Sequence, residues 1–374
     1  MNSRDRIKKL LDFKETDRVG IGEFLWAETI ERWLKEGLSE GKLPEDYFGY
    51  DFSWIMFEQR MGFEERVLRE DKENKVIESI DGVTFNISKE QRHFPQEDLD
   101  LPGIPIDYRI KEEKDWKRYK HLFTPAKWRI DFKPKITPRF SFAPESLSTK
   151  EYYDKLKKED KFILFTVREG VENIRTKLSS KNLLLQFASN PSWVMEMFEA
   201  DANMTLEMYE YFIEDGFEFD GVWIWGDIAY KNGGYFSPSM YKKVLMPYHK
   251  RIFSYFREKN MHVVYHTDGN IEELLPLLMD AGITALQPLE VKAGMDAVKI
   301  KKKYGNTLAL IGNIDARELE KDKVAIEEEI KSKVLFLKKG GGYIFHSDHS
   351  IPPNVSFENY EFALECAKKY GSYV

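Results

Sequence analysis

Two short histidine-bearing stretches carry the residue types best able to hold a metal ion. His266-Thr-Asp268-Gly-Asn270 places an imidazole and a carboxylate two positions apart. At the end of a strand, alternate residues point to the same side, so both could reach one ion. A histidine hydrogen-bonded to a nearby carboxylate, orienting a loop, accounts for the pair equally well. His346-Ser-Asp348-His349 adds a later imidazole, and His266, Asp268 and His349 together would form a mixed nitrogen and oxygen set. Such a set suits Zn²⁺ or a similar divalent cation, with a fourth position open to substrate. His346 lies within a strand run and is expected to face the helix layer. Packing, or a turn before Pro352-Pro353, is the competing use of both histidines.

Three carboxylates, Glu169, Asp227 and Glu290, each end an apolar run. An unpaired carboxylate there is costly to bury unless it meets a partner, a metal or a substrate group. They are the candidate catalytic acids and bases, with helix capping or support of a neighbouring residue as the alternative. Glu290 starts no obvious helix, so capping explains it least. Trp225, Tyr230 and Tyr235 lie on or just beyond another run and could line a pocket for a flat apolar substrate, although aromatic residues in strands often belong to the core. Asn313, at a further run end, joins them as a substrate-binding candidate. No nucleophile elbow or glycosidase-type carboxylate pair stands out.

These residues need a scaffold that brings many strand ends together. From about residue 160, six near-continuously apolar runs alternate with helical patterns: 162–169, 220–227, 262–269, 284–290, 308–315 and 342–349. Such runs suit parallel strands covered on both faces. One intervening helix, NIEELLPLLMDAG, opens on Asn270 and stops at Gly282. The clustering of polar residues at run ends favours a closed TIM (β/α)8 barrel, where those ends converge on one mouth. No GxGxxG or Walker motif supports an open nucleotide-binding sheet.

The first 160 residues are less regular. Residues 2–12 read as a helix, 18–24 and 51–57 as candidate barrel strands with helix between them, and 65–88 as antiparallel strands turning at 72–74 and 81–82. Residues 95–150 read as an insertion near the mouth that contains the short helix EKDWKRYKHLF. The expectation is a single domain over residues 1–374, with excursions at 60–150.

Composition sets outer bounds. The net charge of -7, from 57 basic and 64 acidic residues spread along the chain, offers no basic stripe for nucleic acid or anionic lipid. The charged N-terminus and the lack of a long apolar run predict a cytoplasmic protein that does not engage a membrane. The single cysteine, Cys366, is expected in a helix core.

DGVWIWGDIAYKNGGYF, VVYHTDGNIEELLPLLMDAGITALQPLE, LALIGNID and GGGYIFHSDHSIPP resemble, in order and at suitable intervals, the second half of the uroporphyrinogen decarboxylase superfamily. RDRIKKLLDFKETDRVG is similar to its start. The resemblance implies a TIM barrel and offers two activities. True decarboxylases carry an arginine-rich N-terminal motif that holds the substrate's many carboxylates, whereas this chain reads GIGEFLWAETIERW. The other branch, the corrinoid-dependent methyltransferases, binds zinc through His-x-Cys and a later Cys. Those positions fall on His266, Asp268 and His349, with both thiolates replaced. Asp and His leave a harder ion, matched to an ether or amine donor. The resemblance therefore implies transfer of a methyl group from a small methoxylated donor, aromatic ones included, or a methylamine-type donor to a corrinoid protein, since this chain has no DxHxxG motif of its own. A homodimer is left open. A decarboxylase of a small or tetrapyrrole acid, and a ligand-binding barrel without turnover, are the competing expectations.

Overall fold

The computed structural model describes residues 1–89, 103–137, 142–144 and 146–373. Eight strands form one parallel sheet: β1 (Gly20–Ile21), β2 (Phe52–Met56), β3 (Phe162–Arg168), β4 (Gly221–Trp225), β5 (His262–His266), β6 (Ala285–Gln287), β7 (Ala309–Ile311) and β8 (Tyr343–Phe345). Hydrogen-bonded neighbours run β1-β8-β7-β6-β5-β4-β3-β2. The two end strands meet around Asp51. Its backbone N–H donates to Ile21 O at 2.7 Å, and its carboxylate accepts from Ile21 N at 2.8 Å. The sheet is thus drawn round into a TIM-type barrel, with helices between its strands.

Continuous burial along β2 and β3 explains why these strands lack polar alternation: one face meets the helices and the other the barrel interior. The interior is filled unevenly. Large rings from β2 and β4 (Phe52, Trp54, Trp223) oppose the small Ala285 and Ala309 of β6 and β7. Helix Ser3–Leu11, capped by Asn2, plugs one end with Ile7, Leu10 and Leu11. Cys366 is buried in helix Phe357–Gly371, as expected.

Both N-terminal strand candidates form barrel strands, with helices Ala27–Glu36 and Pro44–Phe48 between them. The excursion is a four-stranded antiparallel sheet, Arg66–Glu70, Asn74–Glu78, Val83–Ser88 and Ile104–Tyr108, burying Ile77, Val83 and Phe85 on one face. Its fourth strand was not anticipated, because Pro105 interrupts the pattern and is tolerated only at a sheet edge. The later part of the insertion is held by Arg129. Its buried guanidinium donates to the carbonyls of Glu58, Arg60, Met61, Leu122 and Thr124, which fixes it to the chain just beyond the C-terminal end of β2. Residues 90–102, 138–141 and 145 of the predicted insertion lie outside the described residues.

One expected helix begins late. The pattern opening at Asn270 becomes helical only over Leu275–Ala281. Pro276 has no N–H to donate to Glu272, so the first turn cannot propagate and proline sits near the helix start. Among the described residues, no helix is long and apolar enough to cross a membrane.

The Asp51 carboxylate also receives Arg6 at 2.7 Å, Arg18 at 2.7 Å and Ser3 Oγ at 2.8 Å. Its own side chain is fully buried. Removing one partner of such a cluster strands buried charge. Asp51→Ala should cost about 3 kcal/mol in urea unfolding; a change below about 0.5 kcal/mol, the size of an ordinary surface substitution, would show that barrel closure does not depend on it.

Candidate functional site

Strands β4 and β5 pair Trp225 with His266, so the two chains leave the sheet at the same height. Two residues beyond those ends stand Asp227 and Asp268. One ligand atom from each of Asp227, His266 and Asp268 lies within 4.8 Å of the others. The loops that carry them are tied together: Asp268 N donates to Asp227 Oδ1 at 3.1 Å and Ile228 N to Thr267 Oγ1 at 3.3 Å. Gly269 makes the turn possible. Its φ is +80°, and a Cβ there would lie 2.7 Å from the backbone at Ala229 and Tyr230. Gly269 N then donates to Glu290 Oε2 at 2.7 Å, while Lys292 holds the other Glu290 oxygen at 3.0 Å.

The charges in this cluster act strongly on one another. Burial works against a charged His266, but the hydrogen bond and negative charge of Asp227 outweigh it, and the imidazole is pushed up to about 9. Asp227 responds in the opposite sense, held below the usual carboxylate range by His266 despite its burial. His266 Nε2 is 3.4 Å from Asp227 Oδ1, and His266 Nδ1 contacts Gln287 Oε1. His349 Nε2 lies 3.4 Å from Asp268 Oδ2. Burial lowers the His349 imidazole, but Asp268 more than compensates and raises it. The other Asp268 oxygen, Oδ1, is buried without a hydrogen-bond partner among the described residues. An unsatisfied buried oxygen on a carboxylate gathered with an imidazole and a second carboxylate fits a divalent cation, which would supply the missing partner.

Of the predicted ligands, the structure therefore gathers His266 and Asp268. It places His349 one step outward against Asp268 and brings in Asp227, which sequence reading weighed as an acid or base. Glu169 caps helix Gly170–Leu178 through Val171 N at 3.1 Å and lies 3.3 Å from His249 Nε2, behind the barrel wall. Burial pushes Glu169 up to about 8. Asn313 spends its side chain on the backbone of Leu289, Met295 and Ala297. Asp348 does the same at Val291 and Ala316.

The expectation for His346 is corrected. It faces the barrel interior, not the helix layer: its ring is 5.4 Å from Phe24, and its Nε2 is 3.4 Å from Gln287 Nε2. The strand ends at Phe345, so alternation cannot be extrapolated through His346.

Trp225 forms the wall of the site, its ring 4.3 Å from that of His266. Phe24, three residues past the end of β1, packs 4.9 Å from Trp225 and stacks on Trp54 at 4.4 Å. Tyr230 and Tyr235 stack on each other at 6.0 Å on a small hairpin and are 50% and 38% exposed, so they stand at the rim. Sequence reasoning missed Phe24 and Gln287. Gln287 carried one signal, as the lone amide within the apolar run TALQPLE.

A family model described as uroporphyrinogen decarboxylase (URO-D) matches residues 175–370. The uroporphyrinogen decarboxylase of Trichlorobacter lovleyi is 29% identical over 138 residues, or 37% of this chain and 39% of that protein. That of Geobacter metallireducens is 31% identical over 147 residues, with the same coverage. These alignments span well under half the length of the relatives. A solved methyltransferase from Methanosarcina mazei superposes with a TM-score of 0.63, covering 99% of this chain and 98% of that one at 14% identity, a likeness of fold.

The buried Glu169 gives a pH prediction. Its folded value is about 8 against roughly 4.3 when unfolded. Between these values the folded protein retains a proton that the unfolded chain has lost, so stability falls as pH rises. Glu169→Gln should remove this slope and gain on the native protein by on the order of 3 kcal/mol between pH 5 and pH 8. Urea unfolding at both pH values checks it, and a pH-independent difference would contradict the assignment.

Proposed function

The chain belongs to the uroporphyrinogen decarboxylase (URO-D) family, and from that premise we propose that it is a methyltransferase passing a methyl group from a small methoxylated aromatic donor to a corrinoid on a separate protein. The observation that carries this reading is the contact between the carboxylate and imidazole cluster and an aromatic wall, with Trp225 4.3 Å from His266. An ether oxygen next to the cluster and a ring against Trp225 would be held by one short molecule. The segment after β1 supports the same donor class. Where a tetrapyrrole with many acetates would need guanidinium groups, it supplies Glu23 and Phe24, and Phe24 extends the wall through Trp54 and Trp225.

Asp227, His266 and Asp268 are the residues that would hold a divalent cation, which when bound acts as a Lewis acid on the donor's oxygen. The remaining work falls to side chains of the barrel itself. Trp225 and Phe24 fix the ring plane and keep water from the leaving oxygen. Glu290 holds the Gly269 turn, and His349 orients Asp268 from its outer side. Tyr230 and Tyr235, exposed at the rim, are placed to meet a donor or a partner carrying the corrinoid. On this reading residues 1–374 act as one domain.

The test mixes the metal-loaded protein with reduced cobalamin and follows methylation by absorbance, across methoxyarenes, methylamines and methyl thioethers. Methoxyarenes should transfer. Trp225→Ala should raise KM for them about 10-fold, the loss of one aromatic contact plus its buried area. Absence of transfer from every donor, or release of carbon dioxide from a small acid instead, would overturn the reading.

A further inference from the structure

His346 is fully buried just beyond β8. Its Nδ1 lies 2.8 Å from the carbonyl oxygen of Ser347 and 3.1 Å from Glu23 Oε1. A backbone carbonyl can only accept, so Nδ1 carries the hydrogen. Complete burial keeps such a ring neutral, which leaves the lone pair on Nε2. The group facing Nε2 is the side-chain amide nitrogen of Gln287 at 3.4 Å, and an amide nitrogen can only donate. The orientation of the amide is thus dictated by a main-chain oxygen two groups away. At its other end, Gln287 Oε1 meets Nδ1 of His266. That oxygen accepts, so His266 also holds a hydrogen on Nδ1. Its Nε2 turns toward Asp227 and Asp268.

Reversing any member of this chain would set donor against donor or acceptor against acceptor, out of reach of water, since Gln287 and His346 are 1% and 0% exposed. The chain crosses the barrel from β8 through β6 to β5, and nothing in it depends on substrate.

We propose that Gln287 and His346 are positioning residues that lock His266 in its Nδ1–H form, so that Nε2 is the ring nitrogen offered to a divalent cation at Asp227, His266 and Asp268. The tautomer assignment stands on the hydrogen-bond chain alone. Its use in metal binding rests on the reading given under the proposed function.

The experiment labels histidine with ¹⁵N and reads which ring nitrogen of His346 and His266 is protonated, at a pH where both rings are neutral and again with Zn²⁺ bound. His346→Phe and His266→Gln variants assign the signals. Hydrogen on Nδ1 is expected for both rings, with Zn²⁺ on Nε2 of His266. Gln287→Leu removes both amide functions and should leave His266 a mixture of tautomers, with Zn²⁺ affinity about 10–100-fold weaker. Gln287→Glu keeps the acceptor toward His266 and should bind Zn²⁺ at least as tightly as the native protein. If Gln287→Leu does not fold, His346→Phe tests the same lock by freeing the amide to rotate. Hydrogen on Nε2 of either ring in the native protein would overturn the proposal, as would native tautomers and affinity in Gln287→Leu. If the native protein binds no Zn²⁺, the metal reading fails by itself, and the ring signals still decide the tautomer.

Discussion

Everything at the mouth depends on a sheet that must close. β1 is only two residues long, too short to hold the barrel edge by a ladder of its own. The join is made instead by Asp51, which donates its N–H to Ile21 and uses its carboxylate to receive Ile21 N, Ser3, Arg6 and Arg18. Opposite charges and donors around a buried carboxylate offset the cost of taking it out of water. Here the same group also ties helix Ser3–Leu11, the plug of the barrel, to the strands it covers. Without that join, β1 and β2 would be the edges of an open sheet, and Phe24 would have no reason to meet Trp54 and Trp225.

Closure brings the strand ends together, but only some of their polar groups face inward with capacity to spare. Asn313 and Asp348 are consumed by backbone groups of neighbouring loops and Glu290 by the Gly269 turn and Lys292, while Glu169 caps a helix with Oε2 and lies behind the barrel wall against His249. Those bonds make the loops stiff. At the mouth itself Asp227, His266 and Asp268 come together, with His349 beside them, and Asp268 Oδ1 has no partner among the described residues. A site built from leftover capacity on a rigid rim is what a ligand with its own charge would require.

The sequence made the barrel's second half legible because two-sided burial leaves runs such as 162–169 and 262–269 apolar throughout, with polar residues just past their ends. His266 and Asp268 could be paired from spacing, since both lie on one strand end. Asp227 could not be joined to them, because its approach depends on β4 lying next to β5 in register, a non-local fact. His346 was misread for a related reason: alternation holds only while the chain stays in the strand, and the strand stops one residue earlier. Gln287 was hidden by its surroundings, and Phe24 by the shortness of β1.

Whether Asp227, His266 and Asp268 form one cation site can be read by anomalous diffraction at the zinc edge from crystals grown with Zn²⁺. A single strong peak is expected about 2.0–2.2 Å from His266 Nε2 and from a carboxylate oxygen of each aspartate. A density map with no peak there, or with zinc bound elsewhere while the three side chains keep their mutual contacts, would contradict it.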